Sequence, residues 1–522
     1  MRMWRGMVLL CGLALGCGGA PPEDGLHEDD RSQGSSLTER GDGEPNTIGG
    51  GTEPGLARLV KDIFPPVSGR PPWLAPSPES LVAFRGRLYF AANFEDGRRQ
   101  LWKSDGTRAG TVPVKAFPAL ASPSFTDALG SLTPLGSRLF FVVKDETHGR
   151  ELWVSDGSSA GTRRVKDLTP GPGDSELYNL QVVGGRLLFF RFIPETPTSP
   201  ARQELWKSDG TEAGTRLVKD LGPDTSLSFS QAIVEDTLFF VFTDPAHGTE
   251  LWKSDGTAAG TRLVKDIVPG PEGSGPFNLK ALGRHVFFTA ADPAHGHTLW
   301  RTDGTSASTR RVLELVPGPE GDAIQVLDAM GSYLYFARTD PSDAYSTRLY
   351  RLRDGVDSVH VRHVATLPNP YGDPDSYTYI TTSAVAGRKL FMALAIYGSG
   401  PAPRDVQLWV TDGTGSGTKM LHRPLSRSDE FGSTLYALDN RILFSGAEEA
   451  TGLELWMSDG TVSGTRLLRD IAPGGASSFP EGFTRVGSKV FFVANDVAHG
   501  NELWVLPLLP YWHLGADEAD DS

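Results

Sequence analysis

The chain has 522 residues, of which 39% are hydrophobic and 22% are charged, and this much apolar material predicts a large folded body rather than a disordered chain. The formal net charge of -14 and the isoelectric point near 5.3 leave no excess of basic side chains to neutralise phosphates, so nucleic acid is not expected as a partner. The only cysteines are Cys11 and Cys17, which excludes a disulfide or a thiolate metal site in the rest of the chain.

The first 17 residues have the layout of a secretory signal peptide. Arg2 and Arg5 precede an apolar run from Met7 to Leu15, and this run is too short to span a bilayer. A small residue, Gly16, then stands before Cys17, as expected close to a cleavage site. The segment therefore predicts export from the cytoplasm.

The end of this segment, "LALGC", resembles the lipobox of bacterial lipoproteins, although Ala14 stands where leucine is usual. The resemblance implies that Cys17 becomes the lipidated first residue of the mature chain and anchors it to a membrane. Gly18 after the cysteine, in place of aspartate, favours the outer membrane by the same analogy. An ordinary signal peptide cut nearby is the alternative.

Residues 18–55 are rich in Gly, Pro, Ser and acidic side chains and have almost no large apolar ones, which predicts a disordered tether. Residues 507–522 end in "GADEADDS" and are interpreted as an acidic tail. The folded domain is therefore expected between residues 56 and 506.

This domain is built from a repeated phrase of the form "ELWKSDGT", followed by a short apolar strand. Successive copies lie 46 to 59 residues apart, as the differences between their numbers show, and such a period indicates a repeat architecture. The copies are marked by Trp102, Trp153, Trp206, Trp252, Trp300, Tyr350 (a substitute), Trp409, Trp456 and Trp504.

Each unit reads as four short strands. The second strand, as in "RLFFVV" at 138–143 and "KVFFVA" at 489–494, is apolar without alternation, so both of its faces are expected to be buried. Four-stranded antiparallel sheets stacked between neighbours predict an all-β fold, a single β-propeller, in preference to a β-solenoid.

The ends of the domain predict how the ring closes. "LARLVKDI" at 56–63 is a fourth strand without the first three, and the last unit supplies three strands without a fourth. Pairing them hides an open sheet edge. The count predicts nine blades, and eight blades with the unit around Tyr350 extruded is the alternative.

In the repeated phrase, the Asp-Gly pair is expected to supply the left-handed backbone of a tight hairpin between the third and fourth strands, with Ser and Thr hydroxyls bonding turn amides. The adjacent Leu and Trp should point to opposite faces and pack against different blades. A calcium or sugar site at each turn is the alternative, but the acids lack EF-hand spacing and no metal site is predicted. The turn carboxylates are Asp105, Asp156, Asp209, Asp255, Asp303, Asp412 and Asp459.

These phrases resemble the ELWxxDGT repeat family of bacterial secreted proteins and lipoproteins, and the resemblance covers nearly everything from residue 56 to residue 506. It implies no particular activity, substrate or catalytic residue. The turn is also similar to the Asp-box of sialidase propellers, a folding motif there, but the spacing differs. No sialidase active-site pattern can be placed on this chain.

The loops opposite these turns vary between units, and specificity is usually built on such loops. Four loops on the same side, which begin at Asp145, Asp244, Asp292 and Asp496, contain Asp-x-x-His-Gly, a pattern that suggests a metal or an acid/base pair but that we interpret as a turn. The varying loops are 64–80, 117–130, 193–203, 367–382, 395–406 and 423–433, and their aromatic residues include Trp73, Tyr178 and Phe229.

The loop "NPYGDPDSYTY" is the richest in aromatic and acidic residues and is our predicted contact site, through Tyr371, Asp373, Asp375, Tyr377 and Tyr379. The chain has no His-Glu-x-x-His, phosphate loop, Gly-x-Ser-x-Gly elbow or dinucleotide fingerprint, and no cofactor is predicted. The leading hypothesis is a non-catalytic, membrane-tethered module that binds an envelope protein or glycan. A hydrolase of envelope glycans or peptides and a purely structural component are the alternatives.

Overall fold

The computed structural model describes residues 56–64, 76–120, 128–313, 315, 324–340, 342–343, 345–355, 359–371, 376–399, 403–423, 435–448 and 450–508. Secondary structure in these residues consists of 36 β-strands without a helix. The predicted signal peptide, the lipidation residue Cys17, the tether and most of the acidic tail lie outside the described residues.

The strands form nine four-stranded antiparallel sheets, which we number as blades in chain order. The first four blades are β2 Pro78–Phe84, β3 Arg87–Asn93, β4 Arg99–Ser104 and β5 Val112–Phe117; β6 Gly130–Leu135, β7 Arg138–Asp145, β8 Gly149–Ser155 and β9 Arg163–Arg164; β10 Leu177–Val183, β11 Arg186–Ile193, β12 Arg202–Ser208 and β13 Arg216–Pro223; β14 Ser226–Val234, β15 Thr237–Asp244, β16 Gly248–Ser254 and β17 Arg262–Lys265.

The other five blades follow the same order. They are β18 Phe277–Leu282, β19 His285–Asp292, β20 Gly296–Thr302 and β21 Arg310–Leu313; β22 Ile324–Met330, β23 Tyr333–Asp340, β24 Ser346–Asp354 and β25 Val359–Leu367; β26 Tyr377–Ala386, β27 Lys389–Tyr397, β28 Pro403–Thr411 and β29 Lys419–His422; β30 Tyr436–Leu438, β31 Arg441–Glu448, β32 Gly452–Ser458 and β33 Arg466–Arg469; β34 Glu481–Val486, β35 Lys489–Asn495 and β36 Asn501–Pro507, completed by β1 Arg58–Lys61.

The nine blades are arranged as a closed ring, so the chain is a nine-bladed β-propeller and the predicted fold class is confirmed. The first strand of a blade contacts the first strand of the next, as β14 does with β18, β18 with β22 and β34 with β2. These first strands therefore line the centre of the ring. Strand β1 pairs with β36, where Arg58 faces Val505 and Leu59 faces Trp504, which confirms the predicted closure.

A separate hydrophobic core fills each of the nine junctions between blades. The second strands supply its largest side chains, such as Phe140 and Phe141, whose rings face opposite neighbours and are fully buried. In the third strand of blade 4, Trp252 packs toward blade 3 and Leu251 packs toward blade 5. Each Leu-Trp pair thus joins three consecutive blades.

Blade 6 is the unit that carries Tyr350 in place of tryptophan. Its four strands form a complete sheet, and β22 lies between β18 and β26 in the ring. The Tyr350 ring stacks on Phe336 with centroids 5.2 Å apart and planes at 9°, which fills the space that a tryptophan occupies elsewhere. The alternative of eight blades with this unit extruded is therefore wrong.

The "SDGT" turn differs in one respect from the predicted tight hairpin. In blade 4 the connection runs from 255 to 261, and only Gly256 has a left-handed backbone, with φ of 80°. The Asp255 carboxylate instead accepts hydrogen bonds from the Thr257 amide at 2.9 Å and hydroxyl at 2.7 Å. The Asp-Gly pair therefore builds a side-chain-capped loop and not a type I′ turn, which would require left-handed backbone at both of its central residues.

The turn also receives side chains from the preceding blade. Lys219 of blade 3 donates to the Thr261 carbonyl at 2.7 Å, and its ammonium lies 5.9 Å from the Trp252 ring centroid. Three other lysines make the same two contacts. They are Lys61 with Thr111 and Trp102, Lys166 with Thr215 and Trp206, and Lys265 with Thr309 and Trp300. The repeated sequence therefore has a structural role, because its Trp and Thr form one side of the contact with the preceding blade.

Candidate functional site

The antiparallel order of the strands places two kinds of connection on opposite faces of the ring. The "SDGT" turns between third and fourth strands lie on one face, which we call the turn face. The connections between second and third strands, and those between blades, lie on the other, which we call the loop face. The start of every first strand also lies at the loop face.

The turn face holds its carboxylates in local hydrogen bonds. Bonds from the Thr257 hydroxyl and amide hold the pKa of Asp255 below its ordinary value. Side-chain and amide hydrogen bonds lower the pKa of Asp105, Asp156, Asp209 and Asp412 in the same way. Among the described residues, no three His, Cys, Asp or Glu side chains are grouped so that they could hold a metal ion.

The Asp-x-x-His segments form capped turns on the loop face. Asp145 accepts hydrogen bonds from the Thr147 amide at 2.9 Å, the His148 amide at 2.8 Å and the His148 ring Nδ1 at 3.0 Å. Asp244 with His247 and Asp292 with His295 repeat this arrangement. Asp496 bonds both the amide and the ring of His499, and this contact raises the pKa of His499. Each Asp-His pair therefore stabilises the turn in which it lies.

A set of buried glutamates supports the loop face, and the sequence analysis missed it. Glu250, the first residue of "ELW" in blade 4, accepts from the amides of Ile267, Val268 and Ser274 at 3.0 to 3.1 Å. The Ser274 hydroxyl also donates to it at 2.6 Å. Burial raises the pKa of Glu250. One carboxylate thus fixes the connection to the next blade.

Glu151 and Glu454 hold the connections after blades 2 and 8 in the same way, with hydroxyls from Ser175 and Ser478. The signal in the sequence is a serine 24 residues after each of these glutamates. Glu502 of blade 9 accepts from the amides of Ile63 and Phe64 at 2.9 and 2.5 Å, and it therefore fastens the closing strand.

The predicted contact loop is shorter than expected. Tyr377 and Tyr379 belong to β26, the inner strand of blade 7, so the connection before that strand is limited to 368–376. Alternation along β26 buries Thr378 and Ile380 and leaves both tyrosines exposed. Asp373 and Asp375 lie outside the described residues, as does Trp73.

The described part of this loop has an ordered base. The Asn369 side-chain Nδ2 donates to the Ser376 hydroxyl at 2.8 Å, and the Asn369 side-chain Oδ1 accepts from the Tyr371 amide at 3.1 Å. The Arg404 guanidinium lies 5.7 Å from the Tyr371 ring. The loop therefore presents Tyr371 from a fixed backbone, supported from the neighbouring strand β28.

The exposed aromatic side chains are concentrated on the loop face. Phe229 is 89% exposed, Phe277 38%, Tyr371 40%, Tyr377 37% and Tyr379 48%. All five lie near the start of a first strand or in the connection before one. Exposed apolar groups gathered on one surface mark interaction sites.

Two further rings adjoin this group. The Tyr377 ring stacks on Tyr397 with centroids 5.0 Å apart and planes at 10°. Tyr178 differs from the exposed aromatic residues because it is half-buried and bonds Gln203 at 2.5 Å. It therefore packs within blade 3 and is not offered to a ligand.

No model of a known protein family and no curated protein matches this chain. Solved structures similar to it include an acylaminoacyl peptidase of Pyrococcus horikoshii, with 11% identity and a TM-score of 0.36 over 80% of this chain and 57% of that one. A puromycin-hydrolyzing peptidase of Mycobacterium tuberculosis has 13% identity and a TM-score of 0.40 over 80% and 58%. Prolyl oligopeptidase B of Galerina marginata has 10% identity and a TM-score of 0.39 over 81% and 55%.

The matched part is therefore little more than half of each of those proteins. Within the described part of the chain, no helix is long and apolar enough to cross a membrane.

Proposed function

We propose that this protein is a non-catalytic binding module of the cell envelope and that it recognises a protein or glycan partner through its loop face. The observation that carries the proposal is that the five exposed aromatic residues of the described part of the chain all lie on this one face, whereas the exposed apolar side chains described on the turn face, such as Val462, are aliphatic. A rigid propeller that presents aromatic side chains from the ends of its strands loses little conformational freedom on binding.

The proposal includes attachment to the membrane through a lipid on Cys17, supported by the lipobox-like "LALGC". Mass spectrometry of the mature N-terminal peptide tests this part. A diacylglyceryl group on Cys17 is the expected result, and an unmodified N-terminus beyond residue 17 would contradict it.

The test of binding uses the purified full chain, immobilised and exposed to fractionated envelope proteins and polysaccharides. Replacing 368–376 by Gly and Ser of equal length should abolish retention of the partner, because it removes Tyr371 and the Asn369–Ser376 support. The replacement stops at 376, because a longer one would alter the inner strand of blade 7, which begins at Tyr377.

The matched control replaces 194–200, an exposed loop on the same face of blade 3, in the same manner. It should retain the partner fully. Equal retention by both variants would remove the loop from the proposal. Polymers released in shortened form would overturn the non-catalytic role.

A further inference from the structure

A cleft of about 240 Å³ opens on the loop face between blades 5, 6 and 7. Its walls come from the starts of the first strands β18, β22 and β26, and its floor comes from β23 and β24 of blade 6. Because each wall belongs to a different blade, the cleft is formed only when the ring assembles.

Two aromatic rings stand on opposite sides of the cleft. Phe277 begins β18 and is 38% exposed, and Tyr379 lies on β26 and is 48% exposed. The ring of His297 packs edge-on against Phe277, with ring centroids 5.7 Å apart. Exposed aromatic faces of this kind suit the apolar C–H faces of sugar rings.

The groups between the two rings are mostly neutral donors and acceptors. Thr347 donates to the Thr378 hydroxyl at 2.6 Å, and that hydroxyl in turn donates to the Tyr345 carbonyl at 3.0 Å. The Asn278 side-chain amide makes no hydrogen bond with another described residue and borders the cleft. A ligand rich in hydroxyl groups can pair with such a surface.

The cleft is unsuited to an extended peptide that adds a strand to the sheet. A β-bulge interrupts β18 between Phe277 and Lys280, and the Leu279 amide already bonds Ser230 of blade 4 at 3.2 Å. Gln325 of β22 accepts from the Ile380 amide of β26 at 3.1 Å. The edge groups that strand addition would need are therefore occupied by neighbouring blades.

The charge of the cleft also limits the ligand. Arg338 is the one cation among the cleft residues, which include no carboxylate. The nearby Lys280 ammonium is neutralised by Asp328 at 2.6 Å. With a net charge of -14 on the chain, a strongly anionic polymer is disfavoured.

We infer that this cleft binds a neutral oligosaccharide, with sugar rings stacked on Phe277 and Tyr379 and hydroxyl groups bonded to Asn278. The inference rests on the proposed function and names its ligand class. Phe229, on the next inner strand at β14, extends the row of exposed rings to blade 4 and suits a chain of several sugars.

The experiment titrates the full chain with cellohexaose, chitohexaose and a hexagalacturonate of equal length by calorimetry. We expect one of the neutral hexasaccharides to bind, and Tyr379→Ala and Phe277→Ala each to weaken binding at least tenfold. Asn278→Gly, which accepts the left-handed backbone at that position, should also weaken binding. Val462→Ala, at a side chain that is 61% exposed on the turn face, is the control and should bind the sugar as the unchanged chain does. Thermal unfolding verifies that every variant is folded.

The two proposals fail in different ways. If an envelope protein is retained through 368–376 while neither neutral hexasaccharide binds, the cleft inference is overturned and the proposed function stands. Absence of both sugar binding and retention overturns both. Tighter binding of the galacturonate overturns the neutral ligand class. An equal loss in Val462→Ala overturns the location in the cleft.

Discussion

Two sets of blades use the residue two positions before the third-strand tryptophan in different ways. In blades 2, 4, 8 and 9 it is a buried glutamate that turns toward the connection to the next blade. In blades 1, 3, 5 and 7 the same position accepts the indole N–H, as Gln100 does from Trp102 at 2.8 Å. In the first set the indole nitrogens of Trp153, Trp252, Trp456 and Trp504 have no hydrogen-bond partner among the described residues.

Blade 3 shows that the sequence "ELW" alone does not determine to which of the two sets a blade belongs. Glu204 stands in such a phrase, yet it accepts from Trp206 at 2.8 Å and pairs with Arg191 at 3.3 Å. Its fourth strand continues to Pro223, so only two residues connect blade 3 to β14. Without a looped connection there are no amides for the glutamate to hold. The shape of the connection therefore selects the role of the carboxylate.

The largest expected effect is a pH dependence of the free energy of unfolding that comes from Glu502 more than from the other glutamates of its set. Burial raises its pKa from 4.5 to about 8, so the folded chain holds a proton that the unfolded chain releases between these values. The free energy of unfolding should therefore fall by up to about 4 kcal/mol as pH rises from 4.5 toward 8. Its Oε2 has no partner among the described residues, whereas Glu454 also receives the Ser478 hydroxyl.

Urea unfolding at several pH values measures this effect. Glu502→Gln should flatten the dependence on pH, because the group no longer titrates. Glu454→Gln is the matched control and should change the slope less. A slope that persists in Glu502→Gln would assign the pH dependence to other groups.

Removing the carboxylate in blade 4 should have the next largest effect. Glu250→Ala leaves the buried Ser274 amide and its neighbours without an acceptor, which should lower the free energy of unfolding by about 3 kcal/mol. Glu204→Ala in the other set should cost about 1 kcal/mol, since only the indole and Arg191 lose a partner. Equal losses, measured by urea unfolding, would contradict the division into two sets.

The smallest expected effect comes from a substitution in blade 1 that leaves its indole N–H without an acceptor, as in the first set of blades. Gln100→Leu should leave the Trp102 indole N–H without its acceptor and cost about 1 kcal/mol or less, since Gln100 is half-buried. Gln100→Glu keeps an acceptor and should be close to neutral. A stability change in Gln100→Glu as large as in Gln100→Leu would show that packing, rather than the hydrogen bond, supports this position.

Much of the architecture could be predicted from the repeated phrase. The unalternating apolar second strands required burial on both faces, and the orphan strand at 56–63 required the last blade as its partner. The site could be predicted less well. The exposed Tyr377 and Tyr379 were identified, but as loop residues, because they directly follow the turn-forming "GDPDS" and were grouped with it. Phe277 was not identified because it begins a strand like any other apolar residue.

The sequence by itself determined the strand order, the closure of the ring and the identity of the turns, because these depend on local patterns that every blade repeats. Only the tertiary structure decided nine blades over eight, the role of each buried glutamate, and the meeting of Phe277 with Tyr379 around one cleft. Those features depend on which side chains neighbouring blades bring together across the junctions. Residues about 100 positions apart in sequence, such as Phe277 and Tyr379, become neighbours only when three blades pack side by side.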